Sequence, residues 1–439
     1  MRGSQLRPSG LPRWVVLAVA GGVFLSLSAL QLQFTILAAM RAAFLMLAAG
    51  GLGLALYTTS WGPQDMGRSR LFKHLGVVLA TAVLGVPFAL VQTRALDGLI
   101  VYGKVLLLTG MVWGVCRHPE NRLTVLRSAT LGLLVACVSA LWMSGGSLGR
   151  LAGLTYDAND LALVALMSLP LLAWYWLDHR NPMRWLGLLA LPIPLFTLVR
   201  ASSRGSFIGL GVMAFATVFL YSHRAPRRLR WMWPATAAIA LAIAPFVPAD
   251  TIQRARSITD QTDYNYTSDL GRLAVWRRGI GYAFGNPLVG VGVENFSAAE
   301  GFSDISAQYA ARGQGFKWGT AHNVYVQALA ELGLVGGGAL ILLIAFSIRD
   351  LFIRARSAGA TGDPDGVLAG MLALSLVAFA VSGAFLSWAY YPAPYILIGI
   401  TYGYLNPRGW RAGVPQRRRV FGSRTVRPVP TAAARQAYR

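Results

Sequence analysis

Cysteine and charged residues are scarce in this chain, and acidic residues are the scarcest of the charged ones. Only 13% of its 439 residues are charged, whereas 55% are hydrophobic and the mean hydropathy is +0.50. This composition excludes an ordinary soluble globule and is typical of a helical protein with many membrane spans. The two cysteines, Cys116 and Cys137, lie in or beside apolar runs. We expect buried free thiols there, without a disulfide framework or a CxxC-type metal site.

The shortage of acidic residues leaves a formal net charge of +23, from 40 basic and 17 acidic residues. In a soluble protein such an excess would point to nucleic acid as a partner. Here most of the charge falls in short connections between apolar runs, where it orients the helices. We therefore expect no nucleic-acid partner, and membrane lipids are the expected surroundings.

Apolar runs of about 20 residues, long enough to cross a bilayer as helices, recur along most of the chain. We predict an all-α polytopic membrane protein with about twelve transmembrane helices. The predicted spans are 14–31, 42–58, 74–92, 97–115, 124–143, 159–177, 185–199, 205–221, 231–247, 323–348, 366–387 and 391–405. We expect no cleavable signal peptide, because the first span lacks a clear small-residue cleavage site.

These spans divide the chain into four parts. Spans one to nine occupy 1–247, a long connection follows at 248–322, and spans ten to twelve occupy 323–405. The remainder, 406–439, is a basic tail with several prolines, which we expect to be disordered and cytoplasmic.

The distribution of basic residues predicts the orientation. With the N-terminus inside, every inside connection carries at least two basic residues, and most short outside connections carry one or none. This is the positive-inside pattern, and an even number of spans places both termini in the cytoplasm. Two outside segments break the pattern: 199–205, which contains Arg200 and Arg204, and 248–322, which carries seven basic residues. Because charge there does not help to orient the helices, we expect it to serve the function.

The long outside connection is predicted to be partly helical. Ser268 is expected to cap a helix with Asp269 in its first turn. On that helix Arg272 and Trp276 share one face. The segment Gly290-Val291-Gly292 is predicted to be a tight turn. A second, polar helix is predicted from about 296 to 312.

His322 is the only one of the five histidines that this topology places outside the cytoplasm, at the start of span ten. A neutral imidazole accepts a proton near physiological pH more readily than any other unperturbed side chain. His322 is therefore a candidate for acid–base chemistry, and an interfacial cap or hydrogen-bonding residue is the alternative. Tyr325 follows it on the helix and is a further candidate for the site. Glu331 belongs to a polar stripe that should face the bundle interior, where we expect a helix-packing or gating partner rather than a catalyst.

Arginines in the outside segments suit an anionic ligand. Arg200 and Arg204 are spaced i, i+4, so both can point the same way if a helix begins near residue 200. Arg272 and Arg278 come from the helix of the long connection. Guanidinium groups bind phosphate in a bidentate way and stay charged, so the cluster fits a diphosphate-bearing lipid. The alternative is that Arg200 and Arg204 are interfacial arginines with snorkelling side chains. We expect no metal site, because the outer acidic residues form no DxD pair.

Three segments of the chain resemble the O-antigen ligase and polymerase superfamily. They are SSRGSFIG at 202–209, DLGRLAVWRRGIGYAFGNPLVGVGVENF at 269–296 and AHNVYVQALAELGLVGG at 321–337. The combination of R-x3-W, P-x-x-G-x-G and H-N…E-x-G-x-x-G in this order is fairly specific to the superfamily. Its members include lipopolysaccharide O-antigen ligases, Wzy-type O-antigen polymerases and protein O-oligosaccharyltransferases.

The resemblance implies a metal-independent, inverting glycosyltransferase of the GT-C type that needs no cofactor. It would lie in the bacterial inner membrane, with its active site at the periplasmic face. The implied donor is a glycan on undecaprenyl pyrophosphate. The acceptor is lipid A–core for a ligase, a lipid-linked repeat unit for a polymerase, or a protein. The lack of a large extra outer domain favours the ligase.

The resemblance also assigns residues by position. His322 matches the essential histidine at the start of the late helix, and Arg272 matches the arginine before the loop tryptophan. Either Arg204 or Arg200 matches the arginine of the S-R-G segment, and both remain candidates. A transporter of lipid-linked glycans or small solutes is the alternative of another class, with Lys104 and the polar stripe of span ten as its path.

Overall fold

The computed structural model describes residues 11–57, 63–144, 151–153, 157–178, 184–221, 268–316, 318–361 and 365–407. Several predictions fall outside these ranges. They are the ninth span at 231–247, the first part of the long connection, and the basic tail from residue 408 onward.

Every regular element within the described ranges is helical, in agreement with the predicted fold class. The helices are α1 (Arg13–Ser28), α2 (Leu30–Gln33), α3 (Thr35–Ala39), α4 (Ala42–Tyr57), α5 (Pro63–Arg68), α6 (Arg70–Gly85), α7 (Gln92–Cys116), α8 (Pro119–Met143), α9 (Ala158–Leu177), α10 (Arg184–Ala190), α11 (Pro192–Ala201), α12 (Arg204–Tyr221), α13 (Arg272–Gly285), α14 (Phe296–Gly301), α15 (Asp304–Ala311), α16 (Val324–Thr361), α17 (Asp365–Ser382) and α18 (Pro392–Leu405). Single 3-10 turns follow α6 at Val86–Phe88 and α17 at Gly383–Phe385.

The described residues contain seven segments that are long and apolar enough to cross a membrane. They are Arg70–Phe88, Gln92–Cys116, Pro119–Met143, Ala158–Leu177, Arg184–Ala201, Val324–Ala358 and Asp365–Phe385. Three further apolar helices, α1, α4 and α12, are shorter. The chain is therefore an integral membrane protein, and the total of twelve spans stays a prediction.

Several predicted spans differ in detail from the observed helices. The span predicted at 14–31 is divided at Ala29, which has φ 57°, into α1 and α2. The span predicted at 185–199 is divided at Leu191, because Pro192 has no N–H to continue the ladder and instead begins α11. The span predicted at 323–348 forms the first part of α16, which runs for 38 residues.

The centre of the bundle is formed by α9 and α17. Both helices are apolar on all sides, and nearly every residue in them is buried. Helices that are apolar on all sides lie in a protein core or in a membrane, and here other helices cover both of them. The Ser375 hydroxyl of α17 donates to the Met167 carbonyl of α9 at 2.9 Å. The connection after α17, residues 383–391, therefore starts from a fixed position at one end of the bundle.

A break in α16 is the most irregular feature of the bundle. Gly333 has φ 72° and ψ 178°, a conformation that is essentially restricted to glycine. The loop 287–292 supplies the backbone partners that the broken helix lacks. The bonds are Val291 N–H to Ala330 O (2.8 Å), Gly292 N–H to Glu331 O (3.2 Å) and Leu334 N–H to Pro287 O (2.7 Å). Irregular backbone within a membrane helix is tolerated where its polar groups are paired in this way.

The loop and the break also fit each other sterically. A Cβ atom on Gly290, which has φ +69°, would lie 2.4 Å from the carbonyl carbon of Glu331. A Cβ atom on Gly333 would lie 2.7 Å from the carbonyl carbon of Leu288. We call this unit, residues 287–292 with 330–334, the clamp. It explains why a P-x-x-G-x-G motif and an E-x-G motif occur in the same chain.

The other end of the bundle holds polar contacts of its own. Arg70 at the start of α6 forms an ion pair with Asp350 of α16. His74 Nδ1 lies 2.8 Å from the Arg70 carbonyl oxygen, and the buried His118 lies 3.6 Å from Glu120. The two histidines described at this end therefore have local partners.

Candidate functional site

His322 lies just before α16, in a left-handed conformation with φ 45°. This conformation is uncommon outside glycine, although histidine is among the residues enriched in it. The prediction that His322 opens the helix is wrong by two residues. Asn323 is the cap instead, because its Oδ1 accepts from the N–H groups of Tyr325 at 2.9 Å and Val326 at 3.1 Å. His322 is thus half-buried in the connection that leads into the helix.

Two hydroxyl groups contact His322. Its backbone N–H donates to Ser387 Oγ at 2.8 Å. Its ring Nε2 lies 3.2 Å from Thr320 Oγ. Since Ser387 belongs to the connection after α17, the central helix of the bundle fixes the backbone of His322.

Trp276 links α13 to the same place. Its indole N–H donates to the carbonyl of Ala321 at 2.9 Å, and its ring centroid lies 6.3 Å from that of Phe385. Arg272 precedes Trp276 by one turn on the same face of α13, as the sequence predicts. The half-buried Arg272 therefore lies on the side of α13 that packs toward His322.

The S-R-G segment meets the same connection from a third direction. Gly205 packs against Phe385, where an added Cβ would lie 2.7 Å from the phenyl ring. The Ser382 hydroxyl donates to the Gly205 carbonyl at 3.4 Å. Phe385 thus contacts both Gly205 and Trp276, and it brings the elements that carry Arg204 and Arg272 to the segment that holds His322.

The relation between Arg200 and Arg204 differs from the prediction. They do not share one helix, because α11 ends at Ala201 and α12 begins at Arg204. Ser202 between them adopts a left-handed conformation with φ 50°. Arg200 is buried, and its guanidinium carbon lies 5.9 Å from the ring centroid of Phe196. The two arginines flank one turn, and Arg204 is the more accessible.

The start of α13 also differs from the prediction. The Ser268 hydroxyl accepts from the N–H of Leu270 at 3.1 Å, but this bond closes a turn and the helix begins only at Arg272. The second predicted helix, at 296–312, is divided into α14 and α15. The tight turn predicted at Gly290-Val291-Gly292 is confirmed as part of the clamp.

Arg278 forms an ion pair within the protein. Its Nε and Nη2 bind the two carboxylate oxygens of Glu300, and its Nη1 donates to the carbonyl of Asp269 at 2.9 Å. Tyr282 donates to Glu300 Oε1 at 2.8 Å. The hydrogen bonds to Glu300 raise the pKa of Arg278. Burial, and to a smaller extent the carboxylate of Glu300, raises the pKa of Tyr282. This arrangement favours a structural role for Arg278 over the ligand role considered from the sequence.

Tyr325 and Glu331 also contact protein groups. The Tyr325 hydroxyl donates to the Ala380 carbonyl of α17. Glu331 is buried, and its Oε1 accepts from the Phe296 N–H at 2.9 Å. Glu331 therefore joins the clamp to the start of α14, which agrees with a packing role.

Sequence reasoning missed three contributors to this end of the bundle. Ser387 and Phe385 lie in a connection between two apolar helices, where nothing in their spacing marks them. Asn323 carried a signal, because an asparagine before an apolar periodic run is a typical N-cap.

The site can combine one imidazole with cationic side chains from separate elements. We call His322, Arg200, Arg204 and Arg272 the His322 rim. Such a set can accept a proton from a hydroxyl group and neutralise an anion. Within the described ranges, there is no cluster of three or more histidine, cysteine or acidic side chains that could bind a metal ion. The nature of the anion does not follow from the geometry.

A comparison with protein families identifies the domain that carries this site. Residues 188–343 match the family model of the O-antigen ligase, a range that contains the whole rim and the clamp. No curated protein matches the chain. The predicted resemblance to the O-antigen ligase and polymerase superfamily is confirmed by the family match.

Proposed function

We propose that this member of the O-antigen ligase and polymerase superfamily is an O-antigen ligase. It moves an O-antigen polysaccharide from undecaprenyl pyrophosphate to a sugar hydroxyl of lipid A–core. The reaction takes place at the periplasmic face of the bacterial inner membrane, with both termini in the cytoplasm. The fold is of the GT-C type, and the reaction needs no metal ion or cofactor.

The meeting of three separate elements at His322 carries the proposal. Trp276 binds the carbonyl of Ala321, Phe385 contacts both Trp276 and Gly205, and Ser387 binds the N–H of His322. These contacts gather a histidine and the two helices that carry Arg204 and Arg272 within the range of the O-antigen ligase match. A metal-independent transfer from a diphosphate needs a base and several cations, which the rim supplies.

In the proposed mechanism His322 acts as the general base. It takes the proton of the acceptor hydroxyl as that oxygen attacks the anomeric carbon of the donor. The bond from this carbon to the diphosphate oxygen breaks, and the diphosphate leaves on its lipid carrier with inversion at the carbon. An Nε2–H donated to Thr320 would leave Nδ1 as the basic nitrogen. General-base catalysis contributes roughly 10²–10⁴-fold.

The arginines act on the leaving group. The negative charge of the diphosphate grows as its bond to the sugar breaks, so fixed cations stabilise the transition state more than the ground state. Arg272 and Arg204 are assigned to this role, together with Arg200. Planar guanidinium groups suit it because they contact phosphate oxygens in pairs and stay charged.

Reconstitution tests the reaction. Purified protein in detergent is mixed with a lipid-linked glycan and lipid A–core, in the presence of a metal chelator. We expect glycan-bearing lipid A–core to form. Formation of no product under these conditions, with folded protein and intact substrates, would contradict the proposal. Turnover without a sealed membrane also excludes the alternative of a transporter without transferase activity.

The acceptor is tested in cells by deleting the gene. Loss of a ligase leaves bare core on lipid A and complete chains on the carrier, whereas loss of a polymerase leaves single repeats on lipid A–core. Loss of a protein O-oligosaccharyltransferase leaves the lipopolysaccharide ladder intact. We expect bare core, and either of the other patterns would replace the proposed acceptor with a repeat unit or a protein.

A further inference from the structure

A cavity of about 870 Å³ lies between the first helices of the chain and α7. It is lined by α1 to α4, by the middle of α7, and by the connections before α14 and α18. Its charged lining residues are Arg41, Lys104 and Glu294, and its apolar walls include Phe44, Val101 and Leu108. Its volume falls within the roughly 300–1,000 Å³ that is typical of ligand pockets.

Lys104 is an unusual residue for its position. It lies near the middle of α7, about 18 Å along the helix axis from the first residue at a rise of about 1.5 Å per residue. The helix is one of the candidate membrane spans, and the Lys104 side chain is exposed and lines the cavity. A charge at such a depth is costly in hydrocarbon alone and usually marks a functional site. The proposed transfer gives Lys104 no role.

Arg41 provides a second cation in the same cavity. Among the described residues, no carboxylate lies within ion-pair distance of Arg41 or Lys104. The one carboxylate in the described lining is Glu294, and its side chain is exposed. Partial desolvation raises the pKa of Glu294. With two cations against one carboxylate, the described lining complements an anion.

The apolar walls indicate where the ligand comes from. Phe44 is 54% exposed and Val101 is 57% exposed, and both lie on apolar helices. In a bilayer these surfaces face hydrocarbon chains. A ligand that reaches the two cations along such walls must itself carry an apolar chain.

The cavity adjoins the segment that fixes the His322 rim. Tyr390 and Tyr391 line it, and they belong to the same connection as Ser387, which accepts from the His322 N–H. A ligand in the cavity would therefore contact the connection that positions the candidate base.

We propose that this cavity binds a phosphate-bearing lipid. Arg41 and Lys104 hold the phosphate, and the exposed Phe44 and Val101 contact the hydrocarbon chain. The phosphate can belong to a membrane phospholipid or to the carrier of a lipid-linked substrate, since both present the same chemistry. The inference concerns lipid binding and does not depend on glycan transfer. Only identification of the ligand as the carrier rests on the proposed function.

Native mass spectrometry of the delipidated full chain tests the proposal. The probes are phosphatidylglycerol, undecaprenyl phosphate and, as an uncharged control, diacylglycerol. We expect both phosphate-bearing probes to bind the wild-type protein. The Arg41→Gln/Lys104→Gln variant should bind phosphatidylglycerol at least about tenfold more weakly, because it lacks both charge-assisted contacts. Undecaprenyl phosphate keeps the arginines of the His322 rim in this variant, so the phosphatidylglycerol result is the deciding one. Lys104→Arg should retain binding.

Lys73→Gln is the matched control, because Lys73 is also an exposed lysine on a candidate span but does not line the cavity. Lys73→Gln should bind the probes like the wild type. A His322→Asn variant, which we expect to be inactive in transfer, should also bind them like the wild type, because lipid binding does not depend on transfer. Unchanged phosphatidylglycerol binding by the folded double variant would overturn the proposal, as would equal binding of diacylglycerol. Displacement of phosphatidylglycerol by undecaprenyl phosphate at equal concentration would assign the site to the carrier, and the reverse preference to a membrane phospholipid. Both preferences support a phosphate-lipid site.

Discussion

The clamp and the His322 rim lie in the same domain but are built in opposite ways. In the clamp, backbone groups pair with backbone groups, and the buried Glu331 binds the Phe296 N–H. In the rim, the side chains come from different elements. His322, Arg204 and Arg272 are half-buried, and Arg200 is buried. The contrast indicates that the motif residues divide into two sets. One set holds the shape of the domain, and the other contains the side chains that a ligand can reach, with Arg200 behind them.

If this division is correct, changes in the clamp should remove folded protein, and changes in the rim should remove transfer from protein that stays folded. The variants below test the clamp first, then the rim, and then two residues that the structure assigns to neither.

The largest effect is expected for Gly333→Ala. The new Cβ would lie 2.7 Å from the Leu288 carbonyl carbon, and the backbone would keep a conformation that costs a side-chain-bearing residue about 1–3 kcal/mol before any clash. We expect little or no monodisperse protein in size-exclusion chromatography. Gly338→Ala on the same helix is the matched control, because a Cβ there meets nothing within 4 Å. Equal yields of the two variants would show that the clamp does not hold the domain.

Arg272→Gln should lower transfer by roughly 10²–10³-fold, the effect of removing one preorganised contact to developing charge. Arg204→Gln should behave similarly. The matched control is Arg277→Gln, because Arg277 is exposed on another side of the helix that carries Arg272. Initial rates in the reconstituted assay, with thermal unfolding measured in parallel, separate the two effects. A loss of transfer in Arg277→Gln as large as in Arg272→Gln would contradict the assignment of the rim.

Arg278→Ala should reduce stability rather than catalysis. It leaves the buried carboxylate of Glu300 without its main partner. We expect a loss of roughly 2 kcal/mol, below the 3–5 kcal/mol of a fully buried pair, because 20% of the Arg278 side chain is exposed. The unfolding temperature should fall, and the rate per folded molecule should stay near that of the wild type. A loss of transfer rate at unchanged stability would instead indicate that Arg278 binds the diphosphate.

Tyr325→Phe should have the smallest effect. It removes one hydrogen bond, to the Ala380 carbonyl, and keeps the ring. We expect a loss of stability of about 1 kcal/mol and nearly unchanged transfer. A decrease in transfer beyond tenfold, measured on folded protein, would place Tyr325 in the rim.

The fold class could be predicted from the sequence because membrane burial requires long apolar runs, and such runs are visible without any partner. The break in α16 could not be predicted from the sequence. The apolar character of the helix continues through Gly333, and the loop that satisfies the broken ladder lies far earlier in the chain. Glycine motifs marked both places, but only their contact explains them.

The candidate site could be predicted only in part, because the sequence shows residue types but not the contacts between distant segments. His322 and Arg272 stand out by residue type and position, and the family match contains both. The spacing of Arg200 and Arg204 suggested one helix, but a left-handed Ser202 separates them. Ser387 carries no signal at all, since a lone serine after an apolar helix gains meaning only when it meets the His322 N–H.

The central claim is that the His322 imidazole is the base of the transfer reaction. The most direct test is the rate of His322→Asn in the reconstituted assay, with unfolding followed on the same sample. Asparagine tolerates the left-handed backbone of this position better than alanine does, so the substitution removes the base with little added strain. We predict a loss of roughly 10²–10⁴-fold with unfolding close to that of the wild type. A folded His322→Asn protein that transfers glycan within a few-fold of the wild-type rate would contradict the account.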